Sequence, residues 1–314
     1  MSSADSRRML PHENATWWQG DREIFPEDIA YIRICAKRFP GLSRKELTYT
    51  LCEHLAWLTP AGRPKYTACA KLLARLEEAG ELRLPAIQKK NSHPGSRPSA
   101  PWRAAARTDP PAPFARSLSE LEAVRLHLVS DRQEESLWNE YVERYHPLGY
   151  KKPVGYWARY FIACEAHRLG CILLNGAAKV LTARDRWIGW SDRQRLANLP
   201  WVVNNSRFLV FPWVAVANLA SHVLGQLARR VSDDWEVRWG YRPLLLETFV
   251  DPAHFRGSCY RAAGWALLGD TTGEGLVRPG KQYRTSPKLI FAKPLQANFR
   301  ALLCSHQLKG RTEL

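Results

Sequence analysis

The chain has 314 residues, 45% of them hydrophobic and 13 of them tryptophan, which is enough apolar surface for a real core and enough length for two domains. A net charge of +16 with a pI near 9.8 points to a polyanionic partner, of which nucleic acid is the commonest. The composition excludes a chain disordered throughout, no stretch approaches the ~18 apolar residues of a membrane span, and the charged start MSSADSRRML lacks the apolar centre of a signal peptide; these features place the protein in the cytoplasm, away from membranes.

The charge is unevenly spread. Residues 86–116 hold six Lys/Arg against one acid and residues 275–314 hold eight against one, leaving only +4 for the rest of the chain. Cations gathered in a linker and a tail suit phosphate neutralisation, with binding that weakens as salt rises. The seven cysteines form no CxxC pair and have no histidine at ligand spacing, so they read as buried thiols rather than disulfides or a zinc site.

In chain order, Glu27 to Arg38 places Ile29, Ile32, Ala36 and Phe39 at helical spacing, ended by Gly41. Ser43 with Glu46 forms a capping box for a second helix reaching about Ala56, faced by Leu47, Leu51 and Leu55. After the turn Thr59-Pro60-Ala61-Gly62, Pro64 opens a third helix with an inner stripe of Ala68, Leu72, Leu73 and Leu76, and Glu81 to Pro85 alternates as a short strand. Three helices and a ribbon suggest a winged helix over residues 1–85, whose third helix would offer Lys65, Tyr66, Lys71 and Arg75 to DNA; a solvated face of an ordinary three-helix unit is the plain alternative.

Residues 86–116 are rich in Pro, Ser, Ala and Arg/Lys and read as a semi-extended linker. From 117 to 314 strands and helices mix. Ser119–Val129 and Glu134–Tyr145 are helix candidates, while Arg159–Ala163 and Cys171–Leu174 make a hairpin. Arg207–Phe211 is a third strand, Val216–Val231 a helix with Leu219, Val223, Leu227 and Val231 on one face, and Leu244–Val250 a fourth strand. The basic tail, with Lys281, Arg284 and Lys288, carries a β-prone piece at Leu289–Phe291. This order matches an acyltransferase fold of the GNAT type, so the fold class expected is α/β (α+β), a winged-helix-like unit followed by a GNAT-like domain.

Three polar clusters sit in apolar surroundings: Arg184-Asp185-Arg186-Trp187 with Arg195; Asn204-Asn205-Ser206-Arg207; and Glu247-Thr248-Phe249-Val250-Asp251. Together with Leu219-Ala220-Ser221 and Cys259–Trp265 they resemble the DruA family of Druantia anti-phage systems, over roughly residues 26–304; Gly264 stands where that family usually has Asn. The resemblance implies a role in phage defence beside a helicase-like partner, and the same domain occurs fused to some transposases.

Arg184, Arg186 and Arg195 join the third-helix cations and Lys281, Arg284 and Lys288 as candidate phosphate contacts, with Asn204, Asn205 and Arg207 lining a polar pocket. Asp185, Glu247 and Asp251 are the set a metal-dependent nuclease would use to hold Mg or Mn. Glu247 and Asp251 are, however, roughly 13 Å apart along an ideal strand, and Glu247 between apolar neighbours reads more readily as a buried carboxylate paired with Arg184 or Arg207. No glycine-rich loop follows Phe211, which disfavours acyl-CoA chemistry, and no P-loop, GxSxG or HExxH motif occurs. Trp201 and Trp213 read as core, whereas Trp187 and Trp190 suit either core or base stacking. The reading is a DNA-binding defence component needing no cofactor; a metal-dependent endonuclease or transposase-associated processing factor, and a scaffold for proteins alone, are the alternatives.

Overall fold

A computed structural model describes residues 17–39, 41–85, 106–273, 286–306 and 308. These fall into two compact units, residues 17–85 and 106–308.

The first unit is a hairpin and three helices. Strands β1 (Trp17–Gln19) and β2 (Arg22–Ile24) pair antiparallel, followed by α1 (Pro26–Arg38), α2 (Arg44–His54) and α3 (Tyr66–Glu78). The capping box is formed: the Ser43 hydroxyl accepts from Glu46 N at 3.2 Å and the Glu46 carboxylate accepts from Ser43 N at 2.8 Å. Ile24, Ile32, Leu47, Leu51, Trp57, Leu72, Leu73 and Leu76 close a core from which water is excluded.

Two expectations are corrected. The ribbon precedes the helices instead of following them, because residues 81–85 find no strand partner and are held by side chains: Arg33 Nε donates to Glu81 O and Arg44 Nε to Pro85 O. Pro64 is not the first residue of α3 but bridges Leu58 across the α2–α3 turn, where Gly62 adopts φ +71°.

The second unit is built on one seven-stranded sheet. Its strands are β4 (Arg125–Leu128), β5 (Trp157–Cys164), β6 (His167–Gly176), β7 (Val202–Val210), β9 (Leu245–Val250), β10 (Ala266–Asp270) and β11 (Leu289–Pro294), arranged β10-β11-β9-β7-β6-β5-β4. Every pairing in it is antiparallel except β7 with β9. That single parallel pair, with the last two strands exchanged at the edge, gives the GNAT-like α/β arrangement expected. A short parallel pair, β3 (Phe114–Ala115) with β8 (Val214–Ala215), lies apart.

Helix α4 (Arg132–Tyr145) covers one sheet face, packing Trp138, Tyr141 and Val142 on Phe161, Cys171, Leu173 and Leu209. Helix α7 (Leu219–Trp239) covers the other, burying Leu219, Val223, Leu227, Val231 and Trp235 at four-residue intervals until Gly240 ends it at φ +79°. Short helices α5 (Thr182–Ile188), α6 (Asp192–Asn198), α8 (Ser258–Ala262) and α9 (Phe299–Leu303) complete the unit.

Residues 119–129 are not a helix: after a 3-10 turn at Leu118–Glu120 they become edge strand β4, because Val124, Leu126 and Leu128 recur every second residue and β5 supplies hydrogen-bond partners. The expected linker also ends earlier. Arg107 and Thr108 hydrogen-bond to Glu140 on α4 at 2.7 and 3.0 Å, so 106–116 belong to the second unit, while 86–105 lie outside the described residues. Cys35, Cys52, Cys69, Cys164 and Cys171 are buried and all seven cysteines are free. No described helix is long and apolar enough to cross a membrane.

Gly170, inside β6, has no room for a side chain, since a Cβ there would stand 2.1 Å from Leu209 O on the neighbouring strand. Gly170→Ala is expected to lower unfolding free energy by about 1–3 kcal/mol in urea titrations.

Candidate functional site: a sealed ion network, two sheet faces and a basic helix corner

Arg184 on α5 and Glu247 on β9 have no solvent exposure and meet at 2.7 Å. The remaining Glu247 oxygen accepts from Ala178 N at 2.7 Å, and the same Arg184 nitrogen donates to Ala178 O at 2.8 Å. Asp185 extends the network, accepting from Arg184 Nε at 2.9 Å, Trp190 Nε1 at 3.0 Å and Leu181 N at 3.0 Å, with Arg195 at 3.5 Å. Burial raises the Glu247 carboxyl above its usual range, and Arg184 and the Ala178 amide pull it back.

Of the two partners expected for Glu247, Arg184 is the one present. Arg184 therefore cannot serve as a phosphate contact, because its guanidinium is sealed inside the network. Arg195 is committed to Asp185 and Asp192, whereas Arg186 is exposed. Asp251 does not join Asp185 and Glu247: it lies past the end of β9, ion-paired with Lys288 at 2.8 Å, which holds its carboxyl below the usual range. Among the described residues no three His, Cys, Asp or Glu side chains gather as a metal site. Lys281 and Arg284 lie outside the described residues.

The expected polar pocket is divided between two faces of the sheet. Asn204 pairs with Asn175 and Glu247 and shares their face, while Asn205 pairs with Leu174 and Thr248 and faces the other way. A bulge at Ser206 shifts the register, so that Arg207 opposes Leu173 and returns to the Asn204 side. Arg207 meets backbone carbonyls there, donating to Gly149 O at 2.9 Å and Ser206 O at 2.7 Å, and has no contact with Glu247.

On the opposite face Asn205 donates to Tyr260 Oη at 3.4 Å and Thr248 Oγ1 to Asn205 O at 2.9 Å, where β7 and β9 cease to pair. Burial raises the Tyr260 hydroxyl. Beside it a cavity of about 360 Å³ is bounded by Val210, the start of α7 at Asn218–Ser221, and Ser258, Cys259 and Ala262 of α8. The tryptophans resolve mainly into packing: Trp201 and Trp190 are buried, Trp213 stacks on Phe211 at 4.8 Å, and Trp187 stacks on Phe299 at 5.0 Å beneath Arg300.

In the first unit, Lys65 is ion-paired with Asp21 at 2.8 Å and Arg75 donates to Trp18 O and Gln19 Oε1 at 2.9 Å, so both stabilise the hairpin. Lys71 is exposed. Tyr66 lies against Tyr49 of α2, ring centres 5.1 Å apart, with Lys45 5.9 Å above the Tyr49 ring. Sequence reasoning missed Tyr49 and Lys45; their signal was an exposed i, i+4 pair on the helix preceding α3.

The sequence model of a family described as Druantia protein DruA matches residues 75–284. Comparison with curated protein sequences gives no match. Among solved structures, the chain is similar to a Bacillus subtilis acetyltransferase in complex with CoA (11% identity, 55% of this chain, 100% of that chain, TM-score 0.32). It is also similar to the aminoglycoside acetyltransferase AAC(6')-Ib with coenzyme A and kanamycin (16%, 57% and 99%, TM-score 0.34).

Arg184→Met strands a buried carboxylate and is expected to cost about 3–5 kcal/mol in chemical denaturation, whereas Arg184→Met with Glu247→Leu recovers most of that loss. His146, pushed down to about 4 by burial and by Arg207, is neutral when folded and accepts from Leu148 N on Nδ1. Because the unfolded histidine takes up its proton first, stability should fall by on the order of 2 kcal/mol as pH drops from about 6.5 toward about 4, after allowing for solvent screening. His146→Gln should flatten that limb of a pH–stability curve.

Proposed function

The chain belongs to the DruA family of Druantia anti-phage defence proteins, and on that premise we propose that it is the DNA-binding component of such a system, acting beside a helicase-like partner. The observation that supports this best is the corner of α2 and α3, where Tyr49 of α2, with Lys45 above its ring, meets Tyr66 at the start of α3, and Lys71 stands exposed further along the same helix. In such an arrangement the start of the second helix enters the major groove while the first crosses the backbone. Lysines there neutralise phosphate, and tyrosines offer hydroxyls and flat faces to sugar and base. The positive charge of the whole chain gives the long-range attraction.

This reading assigns binding rather than cleavage. Both oxygens of Glu247 and both of Asp185 already accept donors from the protein, so a divalent ion would have to break the network to reach them.

Fluorescence anisotropy with labelled duplex, single-stranded and forked DNA at two salt concentrations tests the proposal. Wild type should bind, more weakly at high salt. Lys45→Ala with Lys71→Ala should weaken binding to every sequence and reduce the slope of log K against log salt by about one for each lysine lost. No binding at low salt would overturn the proposal, and strand cleavage on adding magnesium or manganese would replace it with the nuclease reading.

A further inference from the structure

On the α4 side of the sheet two rows of side chains lie next to one another. One runs Trp157, Asn175, Asn204, Glu247 across four strands, and the next runs Arg159, Leu173, Arg207. Asn175 and Asn204 are register partners on β6 and β7, so their amides stand side by side, with Cβ atoms about 5 Å apart.

The Oδ1 atoms of both asparagines are shut off from solvent and meet no hydrogen-bond donor among the described residues; Arg159 Nε, in the adjacent row, is likewise without an acceptor. Their neighbour Glu247 offers them no proton, since both its oxygens are acceptors engaged by Arg184 and Ala178. Apolar side chains would fill this face without leaving polar atoms unsatisfied, so two adjacent orphaned amides on a rigid sheet are the mark of a surface shaped for something else. Both asparagines are only half-buried as residues, so part of each side chain reaches solvent although its oxygen does not.

The neighbouring cations narrow the chemistry. Arg207 is held by Gly149 O and Ser206 O and has no carboxylate partner among the described residues, and Arg159, 1% exposed, has one ion pair, to Glu135. The orphaned amide oxygens are both acceptors and call for N–H donors, which the exocyclic amine of adenine or cytosine supplies and thymine lacks, and an uncompensated arginine complements phosphate.

We propose that the patch formed by Asn175, Asn204, Arg159 and Arg207 is a nucleotide subsite that takes one unpaired adenine or cytosine, amide oxygens to its exocyclic amine and Arg207 toward its phosphate. The assignment rests on the DNA-binding reading above and deepens it: the second unit reads an extruded or single-stranded base, a step that requires the base to leave the stack.

The test measures affinity of the full chain for oligo-dA, oligo-dT and oligo-dA with one abasic position, together with thermal unfolding, for wild type, Asn175→Leu and Asn204→Leu. Wild type is expected to favour oligo-dA over oligo-dT. Each variant should lose about tenfold on oligo-dA and little on oligo-dT, with an unfolding temperature equal to or above wild type, because an unsatisfied buried oxygen has been removed. An abasic position should weaken wild-type binding. Unchanged preference in the variants, or affinity and unfolding temperature falling together on both oligonucleotides, would overturn the subsite and assign the asparagines a structural role. Binding by wild type without base preference overturns the subsite alone, whereas no binding to any DNA overturns the parent reading with it.

Discussion

A guanidinium and a carboxylate that both have no contact with water must satisfy each other and find partners for what remains, and the pair Arg184–Glu247 imposes that requirement on everything around it. Desolvating two charges is repaid only when geometry is close and the spare lone pairs and protons are used. Ala178 supplies both an amide and a carbonyl, Asp185 takes the far side of the guanidinium, and Trp190 and Leu181 hold Asp185 in turn. The segment from 178 to 190 is thereby tied to the centre of the sheet, which fixes α5 as one wall of the face that carries Asn175, Asn204 and Arg207.

Much of this was legible in the sequence wherever one local signal had no rival. The Ser43–Glu46 box, the four-residue stripe of α7 and the β-branched and aromatic runs of β5, β6 and β9 each named their element. The motifs around Arg184 and Glu247 also pointed to each other, because a buried glutamate needs a cation.

What failed to show depended on partners distant in sequence. Residues 81–85 alternate like a strand but meet no strand, and 119–129 carry both helical and two-residue spacing, which only the presence of β5 decides. The polar pocket was misassembled because alternation places Asn205 with Arg207; one extra residue at Ser206 reverses that, and nothing in Asn204–Arg207 itself announces a bulge. Likewise Arg184, Lys65 and Arg75 read as free cations since charge says nothing of whether a side chain is already engaged.

The same point governs where a polyanion can dock. Within the described first unit, 11 Lys/Arg face nine acids, a near balance that by itself attracts nothing strongly. Position breaks the balance: Asp28 and Glu46 cap helices, while Asp21, Glu77 and Glu81 are held in ion pairs with Lys65, Arg44 and Arg33. Acids bound into the fold in this way leave Lys45 above the Tyr49–Tyr66 contact and Lys71 exposed on α3. Local arrangement, more than total charge, therefore sets the face that a phosphate backbone would meet, and the long-range field of the chain serves to bring it there.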